Sequence, residues 1–493
     1  MRLDAMLEGL AAGPVPAVEV AGLQYDSRKL RPGEAFFAFP GEHADGHSFV
    51  PQALDSGASA IVSERPAPQG LRSCWARVRH GRRALARASL RFYGRPDRDV
   101  AVTAVTGTNG KTTTVHLIDA LLRSRGTATA MMGTIHHRVG KSSEKAVNTT
   151  PESLEIVRVL ARLRDIGGTH ATMEASSHAL ALGRVHGIEF HTAVFTNLTP
   201  DHLDFHGDMD RYRAAKRMLF EGAGADPPRF AVVNADDPSA GSFLGIGRTE
   251  PVTYGRAAQA DVRARNVASD FRGLRFDAET PAGRVRVESS LVGDFNVDNL
   301  LAAVAAAQCH GLSVEAIERG LCAARAVPGR FEAVDRGQPF LAVVDYAHTE
   351  DALRRLIESA RRIANRGRRP GRVLTLFGCG GDRDRSKRAP MGRVAGRFSD
   401  FAVLTSDNPR SEDPQRIIDD VRAGLCCGSA PWTAEPDRAA AIGAVLREAR
   451  AGDVVLIAGK GHETTQSLAR GTVRFDDREV ARAALGELGY GRS

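Results

Sequence analysis

Short apolar runs alternate with stretches of helical spacing over residues 99–328: "AVTAVTG", "THATMEAS", "TAVFTN" and "FAVVNADD" are the runs. A strand buried on both faces is apolar throughout, and helices must cover it. The alternation therefore predicts a mostly parallel sheet with helices on both sides. Residues 251–292 ("VTYG", "LRFDA", "VRVESSLVG") add short extra strands. A second alternation follows "VPGRFEAV": "FLAVVDYA", "RVLTLFG", "FAVLTSD" and "DVVLIAG". It predicts another doubly wound α/β domain. The first block mixes short strands and turns and ends at the loop "YGRPDRDV". The chain thus reads as α/β in three domains, 1–98, 99–328 and 329–493, and its length is too great for one core.

Composition narrows the class. The chain is 42% hydrophobic and 26% charged, as in soluble globular proteins. No apolar run reaches the roughly 18 residues that span a bilayer, so no membrane insertion is expected. The start, "MRLDAMLEGLAAG", carries an early acid and no long apolar core, unlike a secretory leader. Six cysteines (74, 309, 322, 379, 426, 427) lack metal-ligand spacing, which suits reduced thiols and a cytoplasmic location. The net charge of +8 raises the question of nucleic acid. The arginines are scattered, however, and the densest run, "RRIANRGRRPGR", reads as a helix end and loop. Basic pockets for anionic small molecules account for the charge equally well.

Of 67 Lys plus Arg only seven are lysine: 29, 111, 141, 145, 216, 387 and 460. Where positive charge alone is needed, this chain uses arginine. A lysine that remains is a candidate for a role only a compact ammonium or a reactive amine can fill. Lys29, Lys141 and Lys145 are read as incidental.

The stretch "TGTNGKTTT" lies between the apolar run "VAVTAV" and the helical "VHLIDALL". It approximates a Walker A loop, with Val105 where the first glycine normally stands. Gly107 and Gly110 allow the turn that faces N–H groups of Thr108, Asn109 and their neighbours towards phosphate oxygens. Lys111 would reach the terminal phosphates, the Thr112 hydroxyl would ligate Mg²⁺, and Thr113 completes the motif. Two strand ends supply further groups: Glu174 in "EASSHAL" and His202 in "TPDHLDFHG", with Lys216 on the helix "YRAAKRMLF".

The motifs "TGTNGKT", "EASSHAL", "TNLTPDHLDFHG", "YRAAK" and "GDFNVDN" resemble those of the ATP-dependent Mur ligases, the cytoplasmic amide-forming enzymes of peptidoglycan precursor synthesis. The resemblance covers essentially the whole chain. It implies an N-terminal uridine-binding domain, a central P-loop ATPase domain and a C-terminal Rossmann-like domain that closes over the substrates. It implies ATP, two Mg²⁺ ions, and a carbamate formed by CO₂ on Lys216, which a guanidinium could not form. Lys111, Glu174, His202 and Lys216 are then the catalytic set. Asn299 matches an adenine-side residue, and Arg330, Asp345 and His348 match residues that close over ATP. Glu350 stands where the family often has Pro, so a slightly altered turn is expected there.

The same resemblance assigns Ser27 in "YDSR", Asn148, Thr149 and Thr150 in "NTTP", Ser176 and Arg184 to the UDP-linked substrate. Leu182 replaces a common Gln. By local rules alone, Thr150 caps a helix that Pro151 begins. In "SDNPRSEDP", Pro409 stiffens a turn and Arg410 can grip a carboxylate. Asp407, Asn408, Pro409 and Arg410, with Arg383, Gly459 and Glu463, resemble the site that takes meso-diaminopimelate, Glu463 facing its distal ammonium. The implied reaction adds meso-diaminopimelate to UDP-N-acetylmuramoyl-L-Ala-D-Glu through an acyl phosphate, in a monomer. Three alternatives stay open: addition of L-lysine or polyglutamation of folate by the same chemistry, a nucleic-acid-stimulated NTPase, and an inactive scaffold. "DNPR" argues against lysine, "YDSR" and "NTTP" against folate, and 6% aromatics with no basic stripe against nucleic acid.

Overall fold

Four short strands open the chain: β1 (Gly22–Gln24), β2 (Glu34–Ala38), β3 (Ala60–Ser63) and β4 (Trp75–Arg77), in that spatial order and all parallel. The run "EAFFA" of β2 is apolar on both faces. Ala35 and Phe37 pack in one cluster, with Ala84, Leu85 and Ala88 of the helix Gly81–Phe92. Phe36 and Ala38 pack in the opposite one, with Val50 and Ala53 of the helix Val50–Asp55. The structure is a computed structural model that describes residues 1–41, 44–270, 273–324, 327–365 and 370–491. Part of the basic run 361–372, residues 366–369, lies outside the described residues.

By packing, the chain divides into two units. The first holds Met1–Arg263, Ala278–Val285 and Asp298–Gly320; the second holds Ala264–Asp277, Arg286–Val297 and Leu321–Ser493. The N-terminal sheet and the central one share the first unit. Tyr25 donates its hydroxyl to Glu155 at 2.9 Å, and Arg158 donates to Leu23 O at 3.0 Å. The central strands are β5 (Ala101–Thr106), β6 (Thr129–Met132), β7 (His136–Val139), β8 (Ser142–Lys145), β9 (His170–Glu174), β10 (Thr192–Phe195), β11 (Phe230–Asn234) and β12 (Glu250–Gly255). They lie in the order β12-β11-β10-β5-β9-β6-β7-β8. All are parallel except the hairpins β6/β7 and β7/β8. The strands expected over 251–292 are β12 together with β13 (Val262–Asp270), β14 (Gly273–Thr280) and β15 (Gly283–Ser289). The hairpin arm β7–β8 was not legible: its sequence "HHRVGKSSEK" is polar, and β8 is exposed throughout.

In the second unit β16 (Glu332–Ala333), β17 (Leu341–Asp345), β18 (Val373–Phe377), β19 (Phe401–Leu404), β20 (Trp432–Ala434) and β21 (Val454–Ala458) form one sheet. Its order is β16-β17-β21-β18-β19-β20, parallel save for β16/β17. Both faces are buried: Val343, Leu456 and Leu404 enter one core, while Val344, Leu376, Ile457 and Val403 enter the other. That double burial is why the strands read as unbroken apolar runs. A separate hairpin, β22 (Thr465–Leu468) and β23 (Gly471–Arg474), follows. The doubly wound α/β architecture is as expected. Among the described residues, no helix is long and apolar enough to cross a membrane.

Candidate functional site

The loop after β5 is one that only glycine admits at two points. Gly107 has φ 147° and Gly110 φ 87°. A Cβ on Gly107 would lie 1.9 Å from Thr196 Oγ1, and one on Gly110 would lie 2.4 Å from Asn299 Oδ1. Thr108 N donates to Asn197 O at 2.8 Å and Asn109 N to Asn197 Oδ1 at 2.9 Å, which pins the turn. The helix Lys111–Arg123 starts directly after Gly110, with Thr112 and Thr113 buried in its first turn. Its unbonded N–H groups and the positive end of its dipole favour an anion there. Lys111 Nζ folds back on the loop and donates to Gly107 O and Thr108 O, both at 2.9 Å. Asn299 joins the loop through Thr114, whose Oγ1 donates to its Oδ1 at 3.3 Å.

Glu174 ends β9 and is 1% exposed. Its Oε2 accepts from Thr112 Oγ1 at 3.1 Å, and its Oε1 from Thr134 N at 2.7 Å. Gly133 leaves it room, since a Cβ there would sit 2.5 Å from Oε1. Thr134, a residue the sequence reading missed, also donates its hydroxyl to Thr149 at 3.2 Å. His202 takes a left-handed φ of 54° and stands 3.4 Å from Asp201, its ring 4.7 Å from that of His178. Burial, with Lys111 and Lys216 nearby, holds the imidazole below its usual value, against the pull of Asp201. A neutral imidazole can ligate a metal.

Lys216 is 1% exposed. Its Nζ donates to Gly107 O at 2.8 Å and lies 4.4 Å from the centre of the Tyr212 ring. Burial, then repulsion from Lys111, drives this amine well below the ordinary lysine range. Tyr212, also missed, places its hydroxyl 3.2 Å from Thr108 Oγ1 and so connects the lysine helix to the phosphate loop. Among the described residues no three His, Cys, Asp or Glu gather as a ready metal cage. The paired carboxylate and hydroxyl of Glu174 and Thr112 suit Mg²⁺, which takes oxygen ligands and keeps part of its shell for phosphate oxygens and water.

The residues assigned to the UDP-linked substrate are only partly gathered. Thr150 Oγ1 donates to Glu174 O at 2.8 Å and accepts from Ser176 N at 3.0 Å. Arg184 Nη1 donates to Thr150 O at 3.1 Å. Thr150 is therefore not a helix cap. The helix is Ser153–Asp165, and its cap is Glu152, whose side chain accepts from Ser153 N. The tertiary bond to Glu174 claims the Thr150 hydroxyl that the local rule reserved for a cap. Ser176 itself caps the helix Ser177–Leu182, whose last residue, Leu182, is half-buried. Asn148 is exposed, and Ser27 lies apart in the short 3-10 turn Ser27–Lys29 that follows β1, donating to Gln52 Oε1 at 2.8 Å.

In the second unit Asp345 ends β17 and accepts from Phe331 N at 2.7 Å and Ala347 N at 2.8 Å. Burial raises its carboxyl above the ordinary value, opposed by Arg330. Arg330 lies 4.9 Å over the Tyr346 ring, and the His348 ring is 4.6 Å from that same ring. Glu350 is the first residue of the helix Glu350–Ala364, capped by Thr349. An acid and a proline both suit that position, so the replacement leaves an ordinary helix start.

The turn 406–410 follows β19. Arg410 has φ 52°; its N donates to Ser467 O at 2.9 Å and its Nη1 to Gly381 O at 2.7 Å. A Cβ on Gly380 would lie 3.0 Å from Arg410 Nη1 and 3.9 Å from Arg383 Cγ, so both arginines flank one glycine. Gly459 faces Asp407, whose Oδ2 would lie 2.6 Å from a Cβ there. Asn408 Nδ2 donates to Glu463 Oε2 at 2.8 Å. Burial works to raise Glu463, but Lys460 and Asn408 outweigh it and bring the carboxyl below its ordinary value. Arg383, Asp407, Asn408, Pro409, Arg410, Gly459 and Glu463 thus share one neighbourhood, joined by Lys460, which the motif reading passed over.

A phosphate-binding loop backed by a buried amine, and an arginine–glutamate turn on a separate α/β sheet, are the parts of an ATP-dependent ligase. The chain belongs to the Mur ligase family. The Mur ligase family catalytic domain matches residues 19–93, the Mur ligase middle domain 105–307, and the Mur ligase glutamate ligase domain 329–461. The chain is 56% identical over 472 residues to the UDP-N-acetylmuramoyl-L-alanyl-D-glutamate–2,6-diaminopimelate ligase of Solibacter usitatus, covering 96% of this chain and 94% of that one. It is 46% identical to the enzyme of the same name from Geobacillus kaustophilus, covering 96% of each. A solved structure of that name superposes with a TM-score of 0.71 at 32% identity over 99% of both chains. Mycobacterium tuberculosis folylpolyglutamate synthase, solved with ADP, shares the fold at 16% identity, with a TM-score of 0.59 over 83% of this chain and 95% of that one.

Proposed function

We propose that this ligase uses ATP to join meso-diaminopimelate to UDP-N-acetylmuramoyl-L-Ala-D-Glu, in the cytoplasm. The observation that carries the choice of amino acid is the turn at Arg410, with Arg383 beside it and Glu463 bonded to Asn408. A guanidinium and a carboxylate in one neighbourhood match the zwitterionic far end of diaminopimelate. L-lysine, with only an ammonium there, leaves Arg410 unmatched. The names of the relatives at 56% and 46% identity support the same substrates. Six free cysteines suit a reducing compartment.

In the reaction the loop N–H groups and Lys111 hold the terminal phosphates of ATP. The donor carboxylate attacks the γ-phosphorus, ADP leaves, and an acyl phosphate forms. The amine of diaminopimelate attacks the acyl carbon, and phosphate leaves from the tetrahedral intermediate. Mg²⁺, when bound, neutralises charge on the phosphates, and Thr112, Glu174 and His202 would hold it. Lys216 Nζ, once deprotonated, would add to CO₂ and lose a proton, and the resulting carbamate would supply a further anionic oxygen beside the loop. Asn148, Thr149, Thr150, Ser176 and Arg184 orient the dipeptide, and Ser27 the uridine end.

The test is phosphate release by the purified protein with ATP, Mg²⁺ and UDP-N-acetylmuramoyl-L-Ala-D-Glu, with either meso-diaminopimelate or L-lysine. Release with diaminopimelate alone is expected. Release with lysine would keep the ligase and reverse the role given to Arg410.

A further inference from the structure

Lys460 is 0% exposed, in a chain that otherwise prefers arginine. Its ammonium has three N–H bonds and meets three acceptors: Thr465 O at 2.7 Å, Glu463 Oε2 at 2.9 Å and Asn408 Oδ1 at 3.1 Å. A guanidinium, flat and larger, could not satisfy that set. The contacts do two things. Asn408 Oδ1 accepts from Lys460 and from Ser467 N at 2.9 Å, so its amide is turned with Nδ2 towards Glu463. Glu463 Oε2 accepts from both Lys460 and Asn408, and no protein donor reaches its Oε1 among the described residues.

We infer that Lys460 is a positioning residue that sets amino-acid selectivity, presenting one oxygen of Glu463 and adding a fixed positive charge to a neighbourhood in which Arg383, Arg410 and Arg438 already offset Asp407 and Glu463. This rests on the substrate reading above. A lone distal ammonium is repelled by that added charge. A zwitterionic end carries no net charge and is little affected. Lys460 therefore disfavours the lone ammonium of L-lysine and leaves diaminopimelate, held by Arg410 and Glu463, nearly untouched. Rejection by a fixed like charge is a common route to discrimination between close substrates.

The experiment compares kcat/KM for meso-diaminopimelate and for L-lysine on the same preparation of Lys460→Met. Their ratio does not depend on the fraction of protein that folds. The ratio is expected to fall by about ten-fold, with KM for ATP within two-fold of wild type. Should the single variant not fold, Lys460→Met in a Glu463→Gln background leaves no unpaired carboxylate. There the ratio should still fall relative to Glu463→Gln alone, because the like charge of Lys460 is removed whether or not the carboxylate is present. An unchanged ratio in Lys460→Met, or a double variant whose ratio equals that of Glu463→Gln alone, overturns the inference. Wild-type protein that fails to use diaminopimelate would instead overturn the substrate reading.

Discussion

Among the described residues two lysines are buried, one in each unit, and they are housed in opposite ways. Lys460 is matched by a carboxylate, an amide oxygen and a carbonyl. Lys216 has Gly107 O and the face of Tyr212, and no carboxylate within ion-pair distance among the described residues. Lys111 nearby adds repulsion. The first environment is built for an ion pair, the second for an amine that gives up its proton. Burial alone therefore does not say what a lysine does; the count and charge of its acceptors do.

The comparison can be broken most strongly at Lys216. Lys216→Arg keeps a cation and removes the primary amine, so ligation should fall by about 10²-fold or more. Bicarbonate-stripped wild type should regain activity and a ¹³C carbamate signal on adding labelled bicarbonate, and the variant should show neither. Activity near wild type in Lys216→Arg would end the carbamate proposal.

Next in size is Arg410. Arg410→Ala should weaken diaminopimelate by roughly 2–4 kcal/mol, read as its KM, with KM for ATP unchanged. An unmoved KM for the amino acid would mean that this turn does not hold it.

Stability sharpens the contrast through opposite signs. Lys460→Met strips a donor from Glu463 and Asn408 and should destabilise by about 1–3 kcal/mol in denaturant titration. Lys216→Met replaces a poorly solvated amine with a thioether and should stabilise by about 1 kcal/mol, at the expense of function. Equal signs would refute the difference in housing.

The same contrast shows in pH. The folded amine of Lys216 titrates well below the value it has in the unfolded chain, near 10.5. Between those two values the unfolded state binds the extra proton, so this group makes stability rise with pH up to about 10.5. Unfolding free energies measured between pH 7 and 10 should show that slope in bicarbonate-stripped wild type and a flatter one in Lys216→Met.

The parallel sheets were legible because their strands are buried on both faces, and the phosphate loop because its glycines and lysine carry a pattern. The polar arm β7–β8 was not, since nothing apolar marks it. "NTTP" misled because Thr-Pro is a good helix start locally, whereas the Thr150 hydroxyl is taken by Glu174 O, 24 positions away in the chain. Lys460 was visible in the lysine count, but its partners Asn408 and Thr465 come together only through the fold. Leu182 in place of a common Gln has no consequence that the structure explains.

One oxygen ties the chemistry of the first unit together. Gly107 O accepts from Lys111 at 2.9 Å and from Lys216 at 2.8 Å. A nucleotide that draws Lys111 towards its phosphates leaves that oxygen to Lys216 alone. If Lys216 carries the proposed carbamate, the tightness with which CO₂ is held would be coupled to nucleotide occupancy, and reciprocity would have dissolved bicarbonate tune nucleotide affinity by the same factor. The supply of an inorganic carbon source would then act as a gain control on how readily the enzyme loads its fuel.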